Sequence, residues 1–398
     1  MLVGGLGKRL GSMTLDTPKP LLSVGGRPFL EYVVWNLRRH GVVDVVLSVG
    51  YLARKVMGHF GEGSRFGVAM RYAVERDPAG TGGALLLARN ELDNAFLVVN
   101  GDTLFDINYL DLALALGRGE AALALRHVPD TGRYGQVCLE GNLATCFAEK
   151  GGGGPGLASG GVYALHRDVL SRLPGVPCSL EQDLFPGLAS DGRLIGRAFD
   201  GFFVDIGVPE ALRCAEQALP VWHRKPAVLL DRDGVLNADR GYVHSPQEFS
   251  WIQGAPEAVK ELNDRGYLVL VVTNQAGIAR GYYTEEEFLA FSRWMQEELR
   301  ERGAHLDAVY YCPHHPQEGI GAYRVACTCR KPAPGLIQRA LREWNVDSER
   351  SVMIGDSEID LQAAQAAGIR SVLFEGDDLL EFVRSLDLTV AGSPTAHG

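Results

Sequence analysis

Two layered α/β domains, each a sheet with helices on both faces, are the fold class this sequence predicts. Three observations predict it. The chain has 398 residues, more than one domain of ordinary size needs. Short apolar runs at 44–49, 95–100, 227–230 and 268–272 alternate with segments of helical spacing. Several runs stop abruptly in Asp, Asn or Thr, as strands do where their carboxyl ends face a ligand crevice.

Composition narrows the class. The chain is 46% hydrophobic and 22% charged, as in ordinary globular proteins. No apolar run approaches the ~20 residues that span a membrane. The start, Met1-Leu2-Val3-Gly4-Gly5, lacks a basic leader, so no signal peptide is expected. A net charge of -10 argues against nonspecific nucleic-acid binding. The cysteines are Cys138, Cys146, Cys178, Cys214, Cys312, Cys327 and Cys329. An odd number, three of them close to histidines, predicts a reduced cytoplasmic protein with one metal site rather than a disulfide framework.

The first half opens on a glycine loop. Gly4, Gly5 and Gly7 follow a few apolar residues, and glycines let backbone N–H groups approach a phosphate closely. A strand needs ~5 residues, and only Met1 to Val3 precede the loop. The strand is therefore expected to be short, and either the true start lies upstream or this half is weakened. Residues 29–37 have helical spacing, with Phe29, Val33 and Leu37 on one face. Strand-like runs at 44–49, 68–74, 95–100 and 121–127 then predict a mostly parallel sheet. The four glycines at 151–154 predict a mobile loop.

These residues fall into an ordered set: GGLGKRL, Thr17-Pro18-Lys19-Pro20, Glu75 with the 78–84 segment, and Asn100-Gly101-Asp102-Thr103. Later come Arg133-Tyr134-Gly135, Glu149-Lys150, Ser159-Gly160-Gly161 and Val204-Asp205-Ile206-Gly207. The set resembles the sugar-1-phosphate nucleotidyltransferases, and within them the heptose-1-phosphate guanylyltransferases. The resemblance implies a Rossmann-like nucleotidyltransferase domain over 1–219. It implies that Arg9 and Lys19 hold a triphosphate, that Asp102 and Asp205 ligate Mg²⁺, that Lys150 binds a sugar phosphate, and that Gly4, Gly5 and Gly82 approach the nucleotide and sugar. Lys8 stands where such enzymes more often carry threonine.

Two prolines around basic residues predict a linker at 220–226. The second half, 227–385, starts with the run Ala227 to Leu230, which ends in Asp231-Arg232-Asp233-Gly234. Residues i and i+2 of a strand share a face, so both carboxylates are expected at one strand end. Adjacent carboxylates repel unless a cation lies between them, which points to Mg²⁺. A helix at 256–265 and a strand at 268–272 follow, the latter running into Thr273-Asn274-Gln275. Thr284 with Glu287 forms a capping-box pattern. The stripe Phe288, Phe291, Met295, Leu299 then reads as the core face of a helix. Strands are expected at 308–311, 351–354 and 371–374, the second ending in Gly355-Asp356.

Between them, Cys312, His314, Cys327 and Cys329 form two short pairs suited to tetrahedral Zn²⁺ in a closed structural site, with His315 spare. A full ligand set leaves no position for water, so the expected task is to pin a loop beside Arg330 and Lys331.

Asp231/Asp233, Thr273, Lys331 and Asp356 at successive strand ends resemble the haloacid-dehalogenase-type phosphatases. That resemblance implies a Rossmannoid domain with Asp231 as nucleophile and Asp233 as acid/base. Thr273 and Lys331 would neutralise the phosphoryl group, and Mg²⁺ would sit among Asp231, Asp233 (through its backbone carbonyl) and Asp356. GYVH (241–244), TNQAGIARG, YYCPHHP and CTCRKP are similar to the heptose-1,7-bisphosphate phosphatases, with histidinol-phosphate phosphatases the nearest confusable class. The likeness implies that Asp239, Gly241, Tyr242, Asn274, Gln275 and Arg330 contact the sugar phosphate. Ser357 stands where lysine is more usual. The remaining residues, 386–398, are expected to be a disordered tail. Taken together, the resemblances imply a bifunctional enzyme of nucleotide-activated heptose and surface-glycan synthesis. Its partners would be sugar phosphates and a nucleoside triphosphate, with no nucleic acid and no membrane. The alternative is a phosphatase with a nonenzymatic sugar-nucleotide-binding first half.

Overall fold

The computed structural model describes residues 1–117, 119–133, 136–148 and 153–388. It divides into two units, residues 1–220 and the segment from Val221 onward. Among the described residues no helix is long and apolar enough to cross a membrane.

In the first unit a small hairpin joins β1 (Ser23–Val24) to β2 (Arg27–Pro28), and β3 (Asp44–Val49) pairs in parallel with β4 (Ala69–Val74). β5 (Ala95–Val99) precedes β6 (Thr103–Phe105). Residues 1–3 join β3 to β5. Leu2 bridges in parallel to both Ser48 and Asn100. The N–H groups of Leu2 and Val3 donate to the carbonyls of Val99 and Ser48, each at 2.9 Å. Neighbours on both sides thus satisfy the backbone of these residues and anchor the glycine loop that follows.

A second sheet takes β7 (Ala121–Val128), β8 (Gln136–Glu140), β9 (Leu143–Ala148), β10 (Gly156–His166) and β11 (Leu194–Ala198) alongside β5. Its order is β5-β10-β7-β11-β9-β8. The expectation of a mostly parallel sheet fails here. The long β10 runs antiparallel to β5, β7 and β8, and within this sheet only β7 and β11 are parallel. β10 enters between β5 and β7, which splits strands that alternation alone would place side by side. Leu123, Leu125, Tyr163, Leu165 and Phe185 form its buried core. β12 (Phe203–Asp205) returns antiparallel to β6, with Asp205 opposite Thr103.

The hairpin of β8 and β9 brings a second correction. Cys138 lies directly opposite Cys146, with Cα atoms 5.1 Å apart, and the pair forms a disulfide. Cross-strand register, which residue counting does not reveal, brings these two thiols together. The predicted linker is also corrected, since Pro220 stands inside the helix Pro209–His223.

The second unit is a parallel sheet with the order β15-β14-β13-β16-β17. Its strands are β13 (Ala227–Leu230), β14 (Leu268–Asn274), β15 (Ala308–Cys312), β16 (Val352–Gly355) and β17 (Arg370–Leu373), close to the predicted runs. β13 is central and wholly buried, as a continuous apolar run in a covered parallel sheet should be. The helix Ala255–Asp264 packs its buried face into the same core. The helix Glu285–Arg300 begins with the predicted capping box of Thr284 and Glu287, and buries Phe288, Phe291, Met295 and Leu299. The predicted tail starts too early. Leu388 is buried, and its carbonyl accepts from Tyr267 and Arg265.

Leu123→Ala in the first unit should cost about 2–5 kcal/mol, since it removes a fully buried side chain. Thr284→Ala should cost about 1 kcal/mol through the lost cap. Denaturant titration of each variant against the parent measures both differences.

Candidate active sites and metal centre

Lys331 organises the second unit's site. Its side chain is 2% exposed, and its ammonium donates to the Val272 carbonyl at 2.8 Å. It also pairs with Asp231 Oδ2 at 2.8 Å and with Asp360 Oδ1 at 2.6 Å. Burial alone would lower the Lys331 pKa, but the two carboxylates more than offset it and hold the ammonium above its usual range. Burial pushes Asp231 above the usual carboxylate range, while Lys331 draws it back. Asp356 is raised as well, first by burial and then by Asp360.

Asp231, Asp356 and Asp360 place one oxygen each within 4.8 Å of one another. A side chain at Gly234 would collide with Asp356, so the loop after β13 can approach that carboxylate only as glycine. Three carboxylates with a single ammonium leave surplus negative charge, and oxygen donors in this number suit Mg²⁺. Asp360 was absent from the predicted set. Its signal was available, since Ser357 and Asp360 have the capping-box spacing that starts a helix directly after Asp356. Ser357, where lysine was the usual residue, donates to Asp360 Oδ2 at 2.6 Å and completes a capping box at the helix Glu358–Ala367.

The two aspartates do not share a strand face. β13 ends at Leu230, and the Asp233 side chain turns to Arg232, Asn237 and Gln275. Thr273 is buried at the end of β14, its hydroxyl accepting from Gln275 Nε2 at 2.8 Å. Asn274 and Gln275 were expected to touch substrate, but their amides are engaged within the protein. Asn274 clips the Lys331 backbone through both its N–H and its carbonyl, at 3.0 and 3.1 Å. Gln275 is 2% exposed and accepts from Tyr283 Oη at 2.6 Å. The other expected contacts are more open. Asp239 closes a turn on Gly241 N at 2.8 Å, and Tyr242 is exposed with φ 58°. A non-glycine residue in that conformation stores strain of the kind found at binding sites.

Cys312 leaves the end of β15, and His314, Cys327 and Cys329 gather around it. Cys312 Sγ lies 3.5 Å from Cys327 Sγ and 3.3 Å from Cys329 Sγ, and His314 Nδ1 lies 3.4 Å from Cys329 Sγ. Three sulfurs and one imidazole nitrogen converge on one point, a donor set that suits Zn²⁺. Arg330 Nη1 donates to the His314 carbonyl at 3.3 Å, so the cluster is tied to the residue preceding Lys331.

In the first unit a cavity of about 540 Å³ is lined by Gly4, Gly5, Lys19, Glu75, Asn100 and Asp102 among others. Lys19 pairs with Asp102. Asp205 Oδ1 accepts from Gly207 N at 2.6 Å, and the Arg9 guanidinium lies beside Gly207. Burial raises the Asp205 pKa, Asp102 adds to it, and Lys19 opposes. A half-paired carboxylate couple of this kind fits a divalent cation. Gly82 is displaced from its expected place. Its N–H donates to the Cys178 carbonyl, and a Cβ there would meet Cys178 Sγ at 2.9 Å. It is small because its helix packs against residue 178, not because it faces the cavity. Lys150 lies outside the described residues. Glu75, given no role from sequence, is held at the cavity by Ser48 Oγ at 3.0 Å and Ala79 N at 3.2 Å.

Asp360→Ala should destabilise the second unit by roughly 3–5 kcal/mol, because it leaves Lys331 with a partner missing in the interior. Asp356→Ala, at a carboxylate that is partly desolvated but still open to solvent and paired with no cation among the described residues, should cost less than about 1 kcal/mol. Unfolding curves without added metal separate the two. Cys327→Ser should remove bound zinc, read by a colorimetric chelator, and lower the melting temperature of the parent.

Residues 1–220 match the family described as Nucleotidyl transferase, and residues 328–378 match the HAD-hydrolase-like family. The D-glycero-beta-D-manno-heptose-1,7-bisphosphate 7-phosphatase of Rhodopseudomonas palustris is 47% identical, covering 41% of this chain and 91% of that protein. The protein of the same name from Vibrio cholerae is 50% identical, over 36% of this chain and 78% of its own. The crystal structure of HddC from Yersinia pseudotuberculosis is 29% identical with a TM-score of 0.50, covering 55% of this chain and 97% of that one, and its complex with GMP-PN matches equally. The chain therefore belongs to the nucleotidyl transferase family through its first 220 residues and, through its C-terminal part, to the heptose-bisphosphate phosphatases of the HAD-hydrolase-like class.

Proposed function

We propose that the chain performs two steps toward nucleotide-activated heptose in the cytoplasm: removal of the 7-phosphate from D-glycero-D-manno-heptose 1,7-bisphosphate, then nucleotidyl transfer to the heptose 1-phosphate that remains. One observation supports the first step above the others: Lys331 is buried between Asp231 and Asp360. An Asp231 oxygen attacks the 7-phosphorus, the bond from phosphorus to the sugar oxygen breaks, and Asp233 gives that oxygen its proton. Water then attacks the aspartyl phosphate, Asp233 takes the proton, and inorganic phosphate leaves. Thr273 and Lys331 face the phosphoryl oxygens. Arg330, Asp239, Gly241 and Tyr242 contact the sugar phosphate.

In the first unit an oxygen of heptose 1-phosphate attacks the α-phosphorus of a nucleoside triphosphate, and pyrophosphate departs. Arg9 and Lys19 hold the triphosphate over Gly4 and Gly5, and Lys150 holds the sugar phosphate. GTP is the first nucleotide to test, since the HddC neighbour was crystallised with GMP-PN. Mg²⁺ would be held by Asp231, Asp356, Asp360 and the backbone carbonyl of Asp233 in one unit and by Asp102 and Asp205 in the other, and would supply charge neutralisation at phosphoryl oxygens. The three cysteines and His314 hold a structural Zn²⁺ that keeps Arg330 in place.

Two assays on the purified chain test this. Phosphate release from the bisphosphate should vanish in Asp231→Asn while pyrophosphate release from GTP plus heptose 1-phosphate persists. Lys19→Ala should reverse the pattern, lowering pyrophosphate release by about 10²-fold. Turnover of histidinol phosphate with none of the heptose bisphosphate would refute the substrate. Phosphatase activity with no pyrophosphate release from any nucleotide would leave only the first step.

A further inference from the structure

Arg232, between the two aspartates, is the largest fully buried side chain among the described residues. A guanidinium in the interior is costly unless paired. Here Nε donates to Asp233 Oδ2 at 3.1 Å, and Nη2 reaches Asp233 Oδ1 at 2.9 Å and Oδ2 at 2.8 Å. Nη2 also donates to the Val243 carbonyl at 2.6 Å. The rings of Phe288 and Phe291 lie 5.6 and 5.4 Å from the guanidinium carbon. Nη1 is buried with no partner. An apolar side chain would fill a place against two phenylalanines without leaving a donor unsatisfied, so packing does not explain an arginine.

We infer that Arg232 is a positioning residue of the phosphatase site, holding the Asp233 carboxylate in place and tying it to the 239–244 loop. The inference rests on the phosphatase reading above. Asp233 needs such a holder because it leaves the end of β13 on a loop, where its own backbone does not set its direction. Asn237 Nδ2 at 3.0 Å and Gln275 Nε2 at 3.3 Å complete the cradle. Two straps run from it to the same loop. One is the Val243 carbonyl on Arg232. The other passes from Gln275 through Tyr283 Oη to the His244 ring, which stacks on Tyr283 with centroids 4.6 Å apart. The loop that carries exposed Tyr242 is therefore connected twice to the acid/base carboxylate, and its position sets where that carboxylate waits.

The test is a leaving-group series on the full chain with Mg²⁺: p-nitrophenyl phosphate, whose leaving group needs no proton, through phenyl phosphate, whose leaving group does. Arg232→Lys keeps the charge and loses the fork, and Arg232→Met removes both. Each should keep the single-turnover release of p-nitrophenol, which reads formation of the aspartyl phosphate alone, within about threefold, while the single-turnover release of phenol falls about tenfold or more, the pattern of Asp233→Asn. Tyr283→Phe, which removes one hydroxyl and keeps the ring, should steepen the series in the same direction and supplies the answer if the arginine variants do not fold. An equal loss across the series, or no loss, would overturn the role. Failure of the parent chain to hydrolyse any ester in an Asp231-dependent way would instead overturn the phosphatase reading, and the role with it.

Discussion

A single buried ammonium between two carboxylates carries the second unit's site. Lys331 is buried, so its charge is stable there only while Asp231 and Asp360 face it. That requirement draws in much of the surrounding architecture. Asn274 holds the Lys331 backbone from the end of β14, Ser357 holds Asp360 from the end of β16, and the Cys/His cluster holds Arg330 one residue before the lysine. Each support comes from a different strand end of one parallel sheet. The parallel order is thus what lets residues far apart in sequence converge on one site.

The first unit solves a related problem. Its cavity needs a glycine loop fixed between β3 and β5. Backbone bonds to Ser48 and Val99 on the two sides fix it. Lys19 answers Asp102 there as Lys331 answers Asp231 in the other unit, and Asp205 lies beside them with its pKa raised by burial and by Asp102. Both sites therefore combine a lysine with more carboxylate than it can neutralise, the condition under which a divalent cation completes the balance.

How far the sequence could be read depended on the range of the signal. β13, the Thr284–Glu287 capping box and the Phe288–Leu299 stripe depend on neighbours within a turn or a strand, and they stand where residue spacing places them. The four donors of the metal cluster lie within eighteen residues, and their chemistry is legible before any fold is known. The mixed sheet of the first unit, the Cys138–Cys146 pair and the helix through Pro220 were not legible, since each follows from long-range register or packing. Gly82, Asn274 and Gln275 mark the same boundary. Residue type identified them as belonging near a site, but type does not say which way a side chain turns.

The sequence by itself determined which chemistry this chain can hold: Asp231, Asp233, Lys331 and Asp356 in order, three cysteines with a histidine, and a glycine loop followed by Lys19 and Asp102. Side-chain identity is local information, and strand-end placement follows from apolar runs a few residues long. Only the tertiary structure decided the partners. It set Asp360 against Lys331, turned Asp233 onto a buried Arg232, and closed Asn274 and Gln275 inward to support the residues beside them. The reason is physical. A buried charge takes whichever counter-charge the packed chain brings within hydrogen-bond reach, and that distance is a property of the folded interior alone.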